Sequence, residues 1–348
     1  MNDMTITKSR NPFIVWGEHS GQLIGRTAEI LRFRNFLDAI RSNQTAILVL
    51  QGTEGMGKTA LLNQFRFEVK KRKVPHVFIN AKKGVKEWEL SQQLLKEFRA
   101  VSYEQLSFLE SIQYVLQKEP PFIIFIDNIT RPFKLEQMLN EFSNHIAENG
   151  ISQKHKKGFG LVIATDLNVE GHDRVKIQLA PLNISSAKEI VQTELNGTDV
   201  KIDDACVLSI LNDSGGNTRL FKTICWYLYE MLRVNQKVMS KAHYLTYLQS
   251  CVNLLSKQWF ESIWNKTPHA ERKILSVFIN SNSKDQTSEN SEKRVIEISN
   301  TLAKPIGQTT ALIKRLLDRG QLIRLERGKY DLFSKLYGRF IGDVIKKE

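Results

Sequence analysis

Ala46-Ile-Leu-Val-Leu50-Gln51-Gly52-Thr53-Glu54-Gly55-Met56-Gly57-Lys58-Thr59-Ala60 is the stretch on which the fold turns. Five consecutive apolar residues ahead of a glycine-rich loop read as a buried strand, and the apolar spacing after Lys58, to about Lys71, reads as a helix. Between them the spacing is GxxxxGK[ST], in the strand, loop and helix context that a phosphate-binding loop requires. Glycines at 52, 55 and 57 let successive backbone N–H groups point at one anion, and the following helix adds its positive end. Lys58 is placed to reach the β- and γ-phosphates, and the Thr59 hydroxyl to ligate Mg²⁺. The candidate nucleotide cradle is thus Gly52, Thr53, Glu54, Gly55, Met56, Gly57, Lys58, Thr59 and Ala60.

Working outward, short apolar runs alternate with helical patterns. Strands are expected at Val74–Asn80, Phe122–Ile126 and Leu161–Thr165, with helices at Thr27–Ile40, Lys86–Phe98, Tyr103–Gln117 and Lys134–Glu148. This alternation specifies an α/β fold with a parallel sheet covered by helices on both faces. The run Phe122-Ile-Ile-Phe-Ile126 delivers Asp127 to the carboxyl edge of the sheet, where a carboxylate is suited to hold Mg²⁺ through water. A helix-capping role is the alternative for a lone strand-end Asp. After Ala180-Pro181-Leu182 the strand signals stop. Ser185–Leu195, Asp203–Asp213 and Thr218–Arg233 read as helices of an all-α lid. A helix at Ala270–Ile279, a polar loop over 280–292, helices at Lys293–Leu302 and Gln308–Arg319, and a hairpin over Gln321–Phe333 then spell a winged helix. The expected divisions are an N-terminal segment 1–45, a nucleotide-binding domain 46–180, a helical lid 181–255 and a winged-helix domain 256–348.

The 348 residues carry 50 Lys and Arg against 37 Asp and Glu, a net +13, with 41% hydrophobic and 25% charged residues. That composition supports a sizeable core and excludes disordered and collagen-like chains. No run approaches the ~18 apolar residues of a membrane span, and no apolar leader opens the chain. Three cysteines without paired spacing point to buried thiols in a reducing compartment, so a cytoplasmic protein is expected. The seven histidines show no metal-binding spacing, leaving Mg²⁺ as the expected metal. Trp88, Trp226, Trp259 and Trp264 read as core residues.

Beyond these motifs the chain resembles the AAA+ and STAND branch of P-loop ATPases, especially the archaeal and bacterial group related to origin-recognition proteins. The likeness spans roughly residues 20 to 235. Leu23-Ile24-Gly25-Arg26 with Glu29 is similar to the box that lies beside adenine in that group, which adds Gly25 and Arg26 to the cofactor-binding candidates. Leu161-Val-Ile-Ala-Thr165-Asp166 resembles the strand carrying the polar sensor-1 residue, here Thr165. Gly215-Gly216-Asn217-Thr218-Arg219-Leu220 resembles the lid signature supplying a sensor-2 arginine, here Arg219. Thr218 stands in place of the usual Pro. Asn128 stands where many such ATPases carry the Glu that polarises the attacking water, and an amide orients water but is a poor base. Arg174, between sensor 1 and the lid, is the leading candidate for a finger reaching a neighbouring subunit, with Arg131 second. A buried strand end for Thr165 and solvated side chains for the three arginines are the alternatives. The resemblance implies ATP as substrate, Mg²⁺ as metal and slow hydrolysis by the isolated protein.

Residues 293–348 hold 13 Lys and Arg against 6 Asp and Glu, a net +7. In a winged helix the third helix enters the major groove, and the helical spacing leaves Gln308, Thr309, Thr310, Lys314 and Arg315 outward. Arg324, Arg327 and Lys329 in the wing are set to straddle phosphates. The first reading is therefore an ATP-driven switch on duplex DNA, with ATP closing the lid and favouring a homo-oligomer, for replication, transposition or a mobile element. The second is a STAND-type signalling or defence ATPase whose winged helix packs internally and whose effector is a partner protein. Neither reading involves a membrane.

Overall fold

The computed structural model describes residues 11–13, 23–81, 85–98, 106–118, 122–129, 137–141, 143–144, 158–167, 169, 171, 174–233, 236–279 and 292–347. The chain divides into two compact units, one over 18–180 and one formed by 1–17 together with 181–348.

The first unit is built on a five-stranded sheet. Its strands are β1 (Thr45–Gln51), β2 (His76–Asn80), β3 (Phe122–Ile129), β4 (Phe159–Thr165) and β5 (Val175–Gln178), in the order β2-β3-β4-β1-β5. Every pairing is parallel. Side chains alternate between the faces of a strand, so the apolar runs feed two separate cores. Leu48, Leu50, Ile123 and Phe125 face one core with α1 (Thr27–Arg41) and α2 (Lys58–Lys71). Ile47, Val49, Ile124 and Ile126 face the other with α3 (Glu87–Glu97) and α4 (Phe108–Lys118). This is the α/β parallel sheet with helices on both faces that the alternation specifies.

Several local expectations are revised. The fifth strand, Val175-Lys-Ile-Gln178, leaves no apolar run because only Ile177 is buried. The described residues of the expected N-terminal segment 1–45 are shared between the two units. Helix α1 packs into the sheet unit through Phe33, stacked on Phe65 of α2 at 4.0 Å, whereas Asn11 donates to the Trp226 carbonyl at 2.9 Å and Phe13 meets Tyr229 edge-on in the other unit. Residues 103–105 of the expected Tyr103–Gln117 helix, and the parts of 134–148 outside 137–141 and 143–144, lie outside the described residues. Trp88 is 55% exposed and is not a core residue.

In the second unit, α5 (Ile184–Leu195), α6 (Asp204–Ser214), α7 (Thr218–Glu230) and α8 (Lys241–Leu255) are each opened by a side-chain cap. Asn183, Asp203, Asn217 and Ser240 accept the N–H of Ser186, Cys206, Leu220 and His243. The expected all-α lid also holds two-residue strands, β6 (Lys201–Ile202) and β7 (Val238–Met239), paired in parallel and too short to mark the sequence. Gly215 and Gly216 close α6 with φ of 61° and 69°. A Cβ on Gly216 would lie 2.7 Å from Pro181, so the two lid motifs meet there, with Leu182 N donating to Gly216 O at 2.8 Å. Cys206, Cys225 and Cys251 are buried free thiols, and burial pushes Cys206 and Cys251 up to about 12.

After α9 (Glu261–Asn265), the carboxyl-terminal elements run α10 (His269–Ser276), β8 (Lys293–Arg294), α11 (Val295–Thr301), α12 (Ile306–Asp318), β9 (Leu322–Glu326), β10 (Lys329–Leu332) and α13 (Lys335–Ile345). The last three strands form an antiparallel sheet in the order β8-β10-β9. Trp259, Phe260, Phe333, Tyr337 and Phe340 pack ring against ring beneath it.

Candidate nucleotide site

β1 ends at Gln51, and the loop that follows is a phosphate cradle by backbone conformation. Gly55 and Gly57 have φ of 85° and 93°, which L side chains rarely adopt. Gly52 is confined from another side, since a Cβ there would lie 3.2 Å from that of Leu179. Met56 is buried in the α1 and α2 core, which anchors the loop from beneath. Helix α2 starts at Lys58 with Gly57 as its cap residue and no side-chain cap bond, so its amino end faces the loop.

Lys58 Nζ donates to the carbonyls of Gly52 at 2.6 Å and Thr53 at 3.0 Å. Burial pushes the Lys58 ammonium below its ordinary pKa, opposed by the carboxylates of Asp166, Asp127 and Glu54. The Thr59 hydroxyl donates to Asp127 Oδ2 at 2.7 Å. This joins the start of α2 to the end of β3 across 68 residues of sequence. Asp127 is 1% exposed, and burial raises its carboxyl above the usual range against the lowering pull of Thr59, the Asn128 N–H and Lys58. A hydroxyl and a carboxylate held together at a strand edge are oxygen donors of the kind Mg²⁺ takes, so the residues fit that ion. Thr59 and Asp127 would hold it, and its charge would offset that of the phosphates.

Asp127→Asn is expected to abolish the Mg²⁺-dependent part of nucleotide binding. Adding Mg²⁺ to ATPγS should raise the melting temperature of the wild type and leave that of the variant unchanged, with turnover down about 10²-fold. An undiminished Mg²⁺ increment in the variant would remove Asp127 from the metal site.

Other candidates are placed differently from the expectation. Arg26 is a buried clamp, donating to Glu29 Oε1 at 3.0 Å and to the carbonyls of Met56 and Ala180, both at 3.2 Å. It braces the loop's Met56 through its backbone, next to Gly25 at φ 70°. Thr165 is 1% exposed, donates its hydroxyl proton to Ile129 O at 2.8 Å and accepts from Leu167 N at 3.0 Å. Its hydroxyl ties β4 to β3, as the alternative reading of a buried strand end expects. Asn128 has φ 63°, and its amide donates to Asn80 Oδ1 at 2.9 Å, so it addresses β2 rather than the phosphate loop. Arg174 is 8% exposed and donates to Asn140 Oδ1 at 2.8 Å, which does not fit a finger reaching another subunit. Arg131 lies outside the described residues. Arg219, in the second unit, places its guanidinium 5.0 Å from the Trp259 ring centroid.

On α12, Gln308, Thr310, Lys314 and Arg315 are exposed, as are Arg324 and Arg327 in the β9 and β10 hairpin. Thr309 is fully buried and leaves the outward set, because it lies one residue round the helix on the Ile313 and Leu316 side. Lys329 is ion-paired with Glu292, so its charge is already engaged at the foot of the wing. Sequence spacing missed Asp166, whose carboxylate acts on Lys58; an acidic residue directly after a buried strand was the available signal.

Residues 22–142 match the family model of the AAA ATPase domain. No curated protein matches the chain. The fold is similar to that of the Walker-type ATPase PABY2304 of Pyrococcus abyssi, at 13% identity and TM-score 0.65, covering 95% of this chain and 99% of that one. It is also similar to the RuvB Holliday junction branch migration motor of Thermotoga maritima, at 19% identity and TM-score 0.51, covering 94% and 98%. Drosophila ORC bound to DNA matches at 15% identity and TM-score 0.52, covering 99% of this chain and 93% of that one. Residues 22–142 are thus similar to an AAA ATPase domain, the fold is that of a P-loop NTPase, and the two findings together support ATP hydrolysis. Among the described residues, no helix is long and apolar enough to cross a membrane.

Proposed function

We propose that this ATPase is a nucleotide-controlled switch that binds duplex DNA through a winged helix in its carboxyl-terminal region. The observation that carries the reading is the module over 269–345. Among its described residues the order of helix, strand, two helices and two strands, with the first strand beside the last, supports the winged-helix reading. Its third helix and hairpin expose Lys314, Arg315, Arg324 and Arg327 in a segment of net +7. Of two proteins of similar fold, RuvB is described as a Holliday junction branch migration motor and ORC as bound to DNA. A nucleotide-dependent homo-oligomer on DNA, a protein partner and a cytoplasmic location belong to the same proposal.

Lys314→Ala, Arg315→Ala, Arg324→Ala and Arg327→Ala together should weaken binding of a duplex oligonucleotide at least tenfold at low salt. The slope of log K against log salt should flatten by about one for each phosphate contact removed. Fluorescence anisotropy across a salt series, with ATPγS present, reads both quantities. No duplex binding by the wild type at low salt would overturn the DNA reading.

A specific feature favours the second reading, an internally packed winged helix in a signalling ATPase. The module and the lid helices form one unit. Ser334 Oγ donates to Asp213 O at 2.7 Å, Asp213 Oδ2 accepts from Tyr244 at 2.6 Å, and Gln249 reaches Asp343 at 2.9 Å. Silence of the four substitutions on DNA, with an unchanged melting temperature, would give this reading first place.

A further inference from the structure

Cleavage of the γ-phosphate needs a group that orients the attacking water and accepts its proton. Asn128 does not serve: its backbone is left-handed and its amide is bonded to Asn80 at the end of β2. In the sheet order β2-β3-β4-β1-β5, that is the side of β3 away from the strand carrying the phosphate loop. Asp127 is engaged on both oxygens, Oδ2 by the Thr59 hydroxyl and Oδ1 by the Asn128 N–H at 2.8 Å.

On the other side, β4 lies between β3 and β1, and its last residue is fixed from both neighbours. Thr165 O accepts from Gly52 N, the first residue of the phosphate loop, at 3.3 Å. The Thr165 hydroxyl meets Ile129 O and receives the N–H of Leu167. Asp166 is the residue held between those anchors, and it is exposed where Thr165 is buried. The chain therefore brings an exposed carboxylate-bearing residue to the sheet edge, directly after the residue whose carbonyl accepts from Gly52 N.

We propose that Asp166 is the residue that holds the attacking water against the γ-phosphate and takes its proton, in the place of the acid that position 128 lacks. The proposal rests on the ATPase class of the chain. In the step, the water oxygen forms a bond to the γ-phosphorus while the bond from that phosphorus to the β,γ-bridging oxygen breaks. The bridging oxygen leaves on ADP with the electron pair, the water proton passes to the Asp166 carboxylate, and inorganic phosphate is released. The donor that hydrogen-bonds the strand, Thr165, is then a positioning residue for Asp166.

The test is Asp166→Asn in the full chain, an isosteric change at an exposed position. Phosphate release under single-turnover conditions should fall about 10²-fold or more, the range expected for loss of a proton acceptor. The Kd for ATPγS with Mg²⁺ should stay within about threefold of wild type, because binding rests on the loop, Lys58 and Thr59. Asp166→Glu should recover part of the rate and Asp166→Ala none. Turnover by Asp166→Asn within threefold of wild type would overturn the proposal, as would a rate loss matched by an equal loss of ATPγS affinity. A wild type that binds ATPγS but releases no phosphate would overturn the ATPase premise, and the proposal with it.

Discussion

Lys58→Ala should lose ATP affinity by about 10²-fold or more and leave no measurable turnover. The ammonium is held by the Gly52 and Thr53 carbonyls, within the loop that the left-handed Gly55 and Gly57 shape. Partly desolvated charges act far more strongly than exposed ones, and burial has already displaced the Lys58 pKa downward. Removing one preorganised charge from a phosphoryl-transfer site typically costs 10²–10³-fold. Arginine at this position would keep the charge but not the compact reach between two carbonyls, so Lys58→Arg should also fail. Isothermal titration with ATPγS and Mg²⁺ measures the effect. Equal affinity in wild type and Lys58→Ala would dismiss the loop as the nucleotide site.

The largest stability effect is expected at a residue far from the phosphates. Phe33 is fully buried, lies 4.0 Å from Phe65 with rings 7° from parallel, and also meets Phe36 and Phe125. Phe33→Ala removes a ring from a packed core and opens a cavity between α1, α2 and β3, costing about 3–5 kcal/mol. Thermal denaturation should show a fall on the order of 10 °C for the sheet unit. Phe65 lies on α2, two turns after Lys58, so the same change should loosen the cradle and weaken ATPγS binding as well. A melting temperature within 2 °C of wild type, about 1 kcal/mol or less, would show that α1 does not carry that face of the core.

Local signals in the amino-acid sequence determined a large part of this molecule. The apolar runs that became β1, β3 and β4 are nearly continuous because a central parallel strand is buried on both faces. The glycines, Lys58 and Thr59 announce the loop because its conformation and its charge are properties of residues adjacent in the chain. The lid helices announce their starts through Asn183, Asp203, Asn217 and Ser240, whose side chains act three residues away.

Tertiary structure decided what depends on neighbours distant in sequence. The strand order is one such feature, and so is β5, which is recognisable only because Leu48 to Gln51 lie beside it. Thr165 is polar and stands at a strand end, but whether its hydroxyl faces a phosphate or a neighbouring carbonyl depends on the register with Ile129. Arg174 reads as a surface arginine until Asn140 and Gly171 enclose it. Thr309 sits one helical step from the outward face, a difference of 100° that depends on how α12 is rotated against its neighbours. Position 128 carries an amide in the sequence, yet its orientation follows from a positive φ and from Asn80 on the adjoining strand. Asp166 gains its importance the same way. Only the pairing of β4 with β1 sets Asp166 next to the residue that meets Gly52, because the sheet edge gathers residues that the chain keeps more than a hundred positions apart.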